Sequence, residues 1–268
     1  MKKIFAAVIL ASLVACSAQR NITSASSATS GIVVNGKLFT AFYQQQAAEY
    51  SALCFQAYNI ARLRLDEALQ QPTTKPLAIV TDIDETILNN SPYAAHQALQ
   101  GKDYDGKSWI NWTDLGECDT LAGTVSFFNY AASKNVEIFY ITNREEKERD
   151  GTMKNLQQYG FPYVDSTHLI LNEDADNSKE SRRQAVAATH NIILLLGDNL
   201  ADFSDLFDKK TVDERLQNTQ LSSAEFGKRF IVLPNWNYGD WETSEYQYNY
   251  KLTEAQKDSI IKTVLKSY

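Results

Sequence analysis

The chain has 268 residues, of which 26 are basic and 33 acidic, giving a formal net charge of −7, with 44% hydrophobic residues. Such an acidic balance lacks the basic footprint of a nucleic-acid binder, so no nucleic acid polymer is expected as a partner, and any anionic ligand must be held by a local device. Cys16, Cys54 and Cys118 are the three cysteines, and with no Cys-x-x-Cys pair a thiolate zinc site is not indicated.

Lys2 and Lys3 precede an apolar run over 4–14. That run is too short to span a bilayer as a mature helix, and it suits the apolar region of a secretory signal. It ends in Leu13-Val14-Ala15-Cys16-Ser17, which resembles the processing box of bacterial lipoproteins. The resemblance implies that 1–15 is a signal peptide and that Cys16 carries a lipid anchor to the membrane. Residues 16–35 then form a tether, rich in Ser, Ala and Thr and too poor in apolar surface to fold. Ser17 after the cysteine implies, by analogy with lipoprotein sorting, the outer membrane of the cell envelope. The alternative is an ordinary signal peptide with an incidental cysteine.

Residues 36–268 read as one domain of a size that supports a single large core. Apolar residues at helical spacing, among them Leu38, Phe42, Tyr50, Leu53, Ala57, Ala61 and Leu65, predict one or two helices over 36–71. The stretch 71–76, with Pro72 and Pro76, breaks them. Four short apolar runs follow, at 77–80, 136–141, 168–171 and 192–196, with Glu137 as the charged exception. Their length and lack of alternation suit strands buried on both faces. Helical patterns at 125–133, 145–159 and 179–189 lie between the later runs, so strands alternate with helices and an α/β fold with a mostly parallel sheet is expected. Residues 77–88 and 122–233 would form this core, 89–121 an irregular insert, and 234–268 a segment over the pocket. An oxidising compartment permits a Cys54–Cys118 disulfide, but two free thiols fit equally. A homodimer is compatible with the chain.

In such sheets ligands bind at the carboxyl ends of the strands. Asp82 and Asp84 follow the first run, Thr142, Asn143 and Arg144 the second, and Asp198, Asn199 and Asp202 the fourth. Continued strand geometry would point Asp82 and Asp84 to one side, and Asp198 and Asp202 would share a face if their turn starts a helix. Gathered carboxylates need a cation to stay ionised, and hard oxygen ligands favour Mg²⁺. A carboxylate nucleophile with a metal is suited to phosphoryl transfer. A calcium loop is a poor alternative, since Ile87 stands where its glycine belongs and no acid closes it. The second aspartate pair also argues against a glycosyltransferase. His96, His168 and His190 lack a neighbouring arginine, and Ile22, Ile60 and Thr124 stand six residues after the cysteines, so histidine- and cysteine-nucleophile phosphatases are set aside. The histidines read as polar or packing residues, with His96 the one that could face a pocket.

The runs IVTDIDETILNNSPY (79–93) and ILLLGDNLADF (193–203) resemble the paired signatures of the class C bacterial acid phosphatases, four-aspartate enzymes of the haloacid dehalogenase superfamily that are typically lipoproteins. The resemblance extends over Tyr140-Ile141-Thr142-Asn143-Arg144, the Lys179 segment and 237–242, with small departures at Thr81 and Ile87. It implies a haloacid-dehalogenase-like Rossmannoid core and Mg²⁺-dependent hydrolysis of small phosphate monoesters through an aspartyl-phosphate. In the family pattern Asp82 is the nucleophile and a metal ligand. Asp84 is general acid and then base, with its backbone carbonyl on the metal. Thr142 bonds a phosphate oxygen, as Asn143 would also do, and Lys179 neutralises phosphate and Asp82. Asp198 binds the metal directly, and Asp202 acts through a metal-bound water. A pair of aromatics sandwiches the substrate, by position Trp109 and Tyr238, with Trp112 the alternative to Trp109. Nucleoside monophosphates, nicotinamide mononucleotide and aryl phosphates are the expected substrates. Two rivals are a surface lipoprotein that binds haem or a nucleotide without turnover, and a phosphotransferase.

Overall fold

Apolar runs without alternation need cover on both faces, and the chain provides it by placing a parallel sheet between helical layers. The computed structural model describes residues 31–173 and 177–268, so the expected signal peptide and Cys16 lie outside the described residues. Two helices lead, α1 (Ile32–Gln46) and α2 (Ala48–Ala68). The first starts within the stretch expected to be tether, ahead of the boundary at 36. β1 (Leu77–Thr81) follows the proline break.

The segment expected to be an irregular insert is in fact ordered. β2 (Leu88–Asn89), α3 (Ser91–Leu99), α4 (Gly106–Leu115) and β3 (Asp119–Thr120) make two helices closed at their base by an antiparallel pair, Leu88 with Thr120 and Asn89 with Asp119. Their ends are set by capping rather than by apolar period. Asp105 accepts from Ser108 N–H at the start of α4, and Gly116 closes it in the left-handed region at φ 59, where a Cβ would be penalised.

α5 (Thr124–Ser133), β4 (Glu137–Glu145), α6 (Arg149–Gln158), β5 (Leu169–Asn172), α7 (Glu180–Thr189) and β6 (Asn191–Gly197) alternate as expected. α8 (Val212–Leu221), β7 (Phe230–Val232), α9 (Asp240–Thr243) and α10 (Glu254–Val264) complete the described order. The main sheet runs β5-β4-β1-β6-β7 with every pairing parallel. β7, only three residues long, was not singled out by the sequence pattern.

Alternate strand residues enter opposite layers. Ile79, Ile138, Tyr140, Leu194 and Leu196 meet Ala61 and Leu65 of α2 and Phe127 and Phe128 of α5. Ala78, Val80, Phe139, Ile141 and Leu195 meet Val186 of α7, Phe203 and Phe230. Each such side chain contributes about 1.5–3 kcal/mol by leaving water. Cys54 and Cys118 are both buried free thiols, so the disulfide option is closed. Burial pushes the Cys54 thiol up to about 11 and the Cys118 thiol to about 12. At the periphery α1 packs on α3 and α10. Asp103, in the loop after α3, accepts from Lys37 Nζ at 2.6 Å and from Lys257 Nζ at 2.8 Å. No described helix is long and apolar enough to cross a membrane.

Candidate active site

Parallel strands place all their C-terminal ends at one edge, and the chemistry-bearing residues gather there. Asp82 N–H extends the β1–β6 ladder by donating to Leu196 O at 3.0 Å, which holds the side chain just past the sheet. β6 ends at Gly197, where an added Cβ would lie 2.4 Å from the Asp202 Cβ. Glycine therefore lets the 3₁₀ turn Leu200–Asp202 fold back over the strand end. That turn, not an α-helix, carries Asp202, and Asn199 N–H donates to its Oδ2 at 3.0 Å.

Asp82, Asp198 and Asp202 each bring a carboxylate oxygen within 4.8 Å of the others. Buried Lys179, at the N-cap position of α7, reaches Asp82 Oδ1 at 2.5 Å and Asp202 Oδ1 at 2.7 Å. Asp198 accepts from Thr86 Oγ1 at 3.1 Å and from Asn235 Nδ2 at 2.7 Å, beyond the end of β7. Burial pushes the Asp82 carboxyl up to about 7, against the pull of Lys179 and with added pressure from Asp202 and Asp84. Burial and the charges of Asp202 and Asp82 also hold Asp198 well above the usual carboxylate range. One ammonium against three carboxylates leaves this cluster short of positive charge. The all-carboxylate donor set fits a hard divalent cation.

Asp84 does not point with Asp82. Its carboxylate turns to the Arg144 guanidinium, with Oδ1 at 2.7 Å from Nη2 and Oδ2 at 3.1 Å from Nε, and Asn90 Nδ2 donates to Oδ1 at 2.9 Å. The strand ends at Thr81, and Glu85 adopts a left-handed backbone (φ 54), so the expected continuation of strand geometry fails. Burial works against the charge of Arg144, but Asp84 outweighs it and keeps the guanidinium protonated above its ordinary value. Glu85 is buried, accepting from Asn90 N–H at 2.7 Å and from the Tyr238 hydroxyl. Burial, with Asp84 next, pushes its carboxyl up to about 7. α2 supports this loop through Tyr58 Oη, which donates to Thr86 O at 2.7 Å.

Thr142 is fully buried and its Oγ1 accepts from Arg144 N–H at 3.1 Å, leaving the hydroxyl proton for another oxygen. Asn143 is turned outward, its Oδ1 accepting from Arg182 Nη2 at 2.8 Å. Of the two candidate tryptophans, Trp112 is tied inward through Nε1 to Asn90 Oδ1 at 2.8 Å. Trp109 lies with its ring 6.0 Å from Arg144 Cζ and 5.1 Å from Tyr93, beside the Asp84 pair. Tyr238 and the buried Asn237, whose Nδ2 has no acceptor within the protein, come from the loop before α9. His96 is exposed on α3, its Nε2 2.7 Å from Gln100 Nε2, and does not face the site.

Arg144, which follows the second apolar run in the sequence but lies within β4, had no role from the sequence, and Glu85, Thr86, Asn90 and Asn235 had none assigned. Each acts through a contact 5 to 153 residues away in the chain, which spacing does not reveal.

Comparison with known proteins gives this arrangement a family. The model for HAD superfamily, subfamily IIIB (acid phosphatase) matches residues 1–241. The class C acid phosphatase of Bacillus anthracis superposes with a TM-score of 0.85 at 42% identity, over 88% of this chain and 99% of that one. The same enzyme with tungstate bound matches equally. Acid phosphatase 1 of Solanum lycopersicum is 27% identical over 130 residues, 46% of this chain and 50% of that protein. Stem 31 kDa glycoprotein of Glycine max is 22% identical over 125 residues, 45% of this chain and 49% of its own length. The chain thus spans about half the length of these two curated relatives.

Proposed function

The chain belongs to the acid phosphatases of HAD superfamily subfamily IIIB, and from that membership we propose that it hydrolyses small phosphate monoesters through an aspartyl-phosphate on Asp82. The observation that carries this reading is Lys179 joining Asp82 to Asp202 inside a three-carboxylate cluster at the strand ends. Mg²⁺, which Asp82, Asp198 and the Asp84 backbone carbonyl would hold directly and Asp202 through a bound water, would supply the positive charge that lets an anionic phosphate approach a carboxylate.

In the first step an Asp82 oxygen bonds to phosphorus while the bond from phosphorus to the leaving oxygen breaks, and Asp84 gives that oxygen its proton. Arg144 and Asn90 hold Asp84 for this task. Arg144 donates to both oxygens of Asp84, and Asn90 donates to Oδ1. In the second step Asp84 takes a proton from water as the water oxygen bonds to phosphorus, and the bond to Asp82 breaks to release phosphate. Lys179 balances charge on Asp82 in both steps, and the Thr142 hydroxyl donates to a phosphate oxygen. Asn143 serves the substrate indirectly, through Arg182.

Trp109, beside the Asp84–Arg144 pair, and Tyr238, bonded to Glu85, would offer flat rings to a substrate, which suits nucleoside monophosphates, nicotinamide mononucleotide and aryl phosphates. Tungstate, present in the Bacillus anthracis relative, is a tetrahedral oxyanion like phosphate and supports an oxyanion-binding site. An outer-membrane lipid anchor on Cys16 places the enzyme where charged nucleotides must lose phosphate before entry.

The test is hydrolysis of an aryl phosphate and a panel of nucleotides by protein stripped with EDTA and restored with Mg²⁺. The reading expects turnover that disappears with the metal and returns with it. Binding of nucleotide or haem without turnover would replace it with a ligand-binding lipoprotein. Transfer of phosphate to an added alcohol in place of water would make the chain a phosphotransferase.

A further inference from the structure

A tyrosine at a protein surface ordinarily buries its ring and leaves its hydroxyl in water. Tyr238 does the reverse. Its hydroxyl donates to Oε2 of Glu85, a residue only 1% exposed, while 36% of the tyrosine stays open to solvent. The polar tip is engaged inside the protein, and what remains open is the rest of the residue.

The acceptor is itself held in place. Glu85 sits in the left-handed region at φ 54, a backbone that side chains rarely adopt and that persists where neighbours fix it. Glu85 N–H donates to Leu88 O at 2.9 Å. Asn90 donates its backbone N–H to Glu85 Oε1 at 2.7 Å and its Nδ2 to Oε2 at 3.2 Å. The same Nδ2 donates to Asp84 Oδ1 at 2.9 Å, while Asn90 Oδ1 accepts from Trp112 Nε1 and from the Cys118 thiol. One amide thus joins the carboxylate that holds Tyr238 to the carboxylate assigned to proton transfer. The tyrosine backbone is tied separately. Its N–H donates to Asn235 Oδ1 at 3.4 Å, its carbonyl accepts from Trp241 Nε1 at 3.2 Å, and Asn235 Nδ2 donates to Asp198. Filling ring volume alone would need no hydroxyl and no desolvated carboxylate, which is costly to bury.

We infer that Glu85 is a positioning residue for leaving-group selection. By holding the Tyr238 hydroxyl it fixes the ring as a platform for flat leaving groups, and through Asn90 it keeps that platform aligned with Asp84. The inference rests on the phosphatase reading and deepens it. A ring already locked in one rotamer need not be ordered when substrate binds, so a tethered platform binds a flat group more tightly than a loose one. Aryl and nucleoside esters gain from this, and a small alkyl ester, which has no flat face, does not.

The experiment measures kcat and KM for phenyl phosphate and for glycerol phosphate with Mg²⁺-loaded protein, and a melting curve for each variant. Tyr238→Phe keeps the ring and removes its tether. It should lower the aryl-over-alkyl ratio of kcat/KM about 3–10-fold, mainly through KM for the aryl ester. Glu85→Gln should lower the ratio in the same direction, and the double variant should fall no further than the larger single one. If Glu85→Gln fails to fold, Tyr238→Phe decides alone. A parental ratio in Tyr238→Phe would overturn the inference, as would losses that multiply in the double variant. Equal losses on both esters with a lowered melting temperature would also overturn it, because they mark a merely structural fastening. Turnover of neither ester by the parent would end the phosphatase reading and this inference with it.

Discussion

Two acidic junctions in this protein have opposite charge balance. At Asp103 one carboxylate faces two lysines; burial resists its ionisation, but Lys37 and Lys257 outweigh it and hold its carboxyl at about 2. At the sheet edge three carboxylates share Lys179, and burial with mutual repulsion pushes Asp82 up to about 7. The first junction is complete and fastens α1 and α10 to the loop after α3. The second is completed only by what binds to it. A buried acid with enough cations marks architecture, and one with too few marks function.

The contrast breaks most sharply under substitution. Asp82→Asn is expected to lower kcat by about 10³-fold or more with the fold intact, whereas Asp103→Asn leaves kcat within a few-fold of the parent by about the noise of such comparisons. Steady-state rates with a melting curve for each variant check both halves. Arg144→Lys keeps the charge beside Asp84 but loses the planar fork. A fall in kcat of about 10–100-fold is expected, part of the 10²–10⁴ that a positioned acid supplies, with KM changed less. Trp109→Ala should raise KM for aryl and nucleoside phosphates about 10-fold, the loss of one stacking contact. Trp112→Ala should instead lower the melting temperature, because it strips Asn90 Oδ1 of a donor.

The smallest effect sharpens the comparison through pH. Asp82 has a folded-state pKa above its unfolded value, so in the stripped protein its contribution falls as pH rises from about 4 to about 7 and stays unfavourable beyond. Asp103 is depressed, so its contribution is present above about pH 4 and is lost as pH falls toward about 2, amounting to about 2 kcal/mol at most. Denaturation of stripped parent, Asp82→Asn and Asp103→Asn across this range should show differences of opposite slope. Mg²⁺ should stabilise the parent mainly on the neutral side. Parallel slopes would erase the distinction between the junctions.

Most of the sheet and its reactive edge were legible in the sequence because strands covered on both faces leave long apolar runs, and parallel strands end where their ligands bind. Asp82, Asp198 and Asp202 could be placed together on that ground, and resemblance placed Lys179 with them. The two helices of the insert were not legible, since α3 and α4 are short and Asp105 and Gly116 define the second better than any apolar period. The divergence of Asp84 from Asp82 was also hidden. It depends on buried Arg144, 60 residues away, and on the left-handed backbone at Glu85.

The most direct test of the central claim is to quench the Mg²⁺-loaded enzyme with acid during turnover of an aryl phosphate and locate any phosphoryl group by mass spectrometry of its peptides. The account predicts one phosphoryl group on Asp82, absent without the metal and absent in Asp82→Asn. Steady turnover with the phosphoryl group on another residue, or with none on the protein at any time, would contradict it.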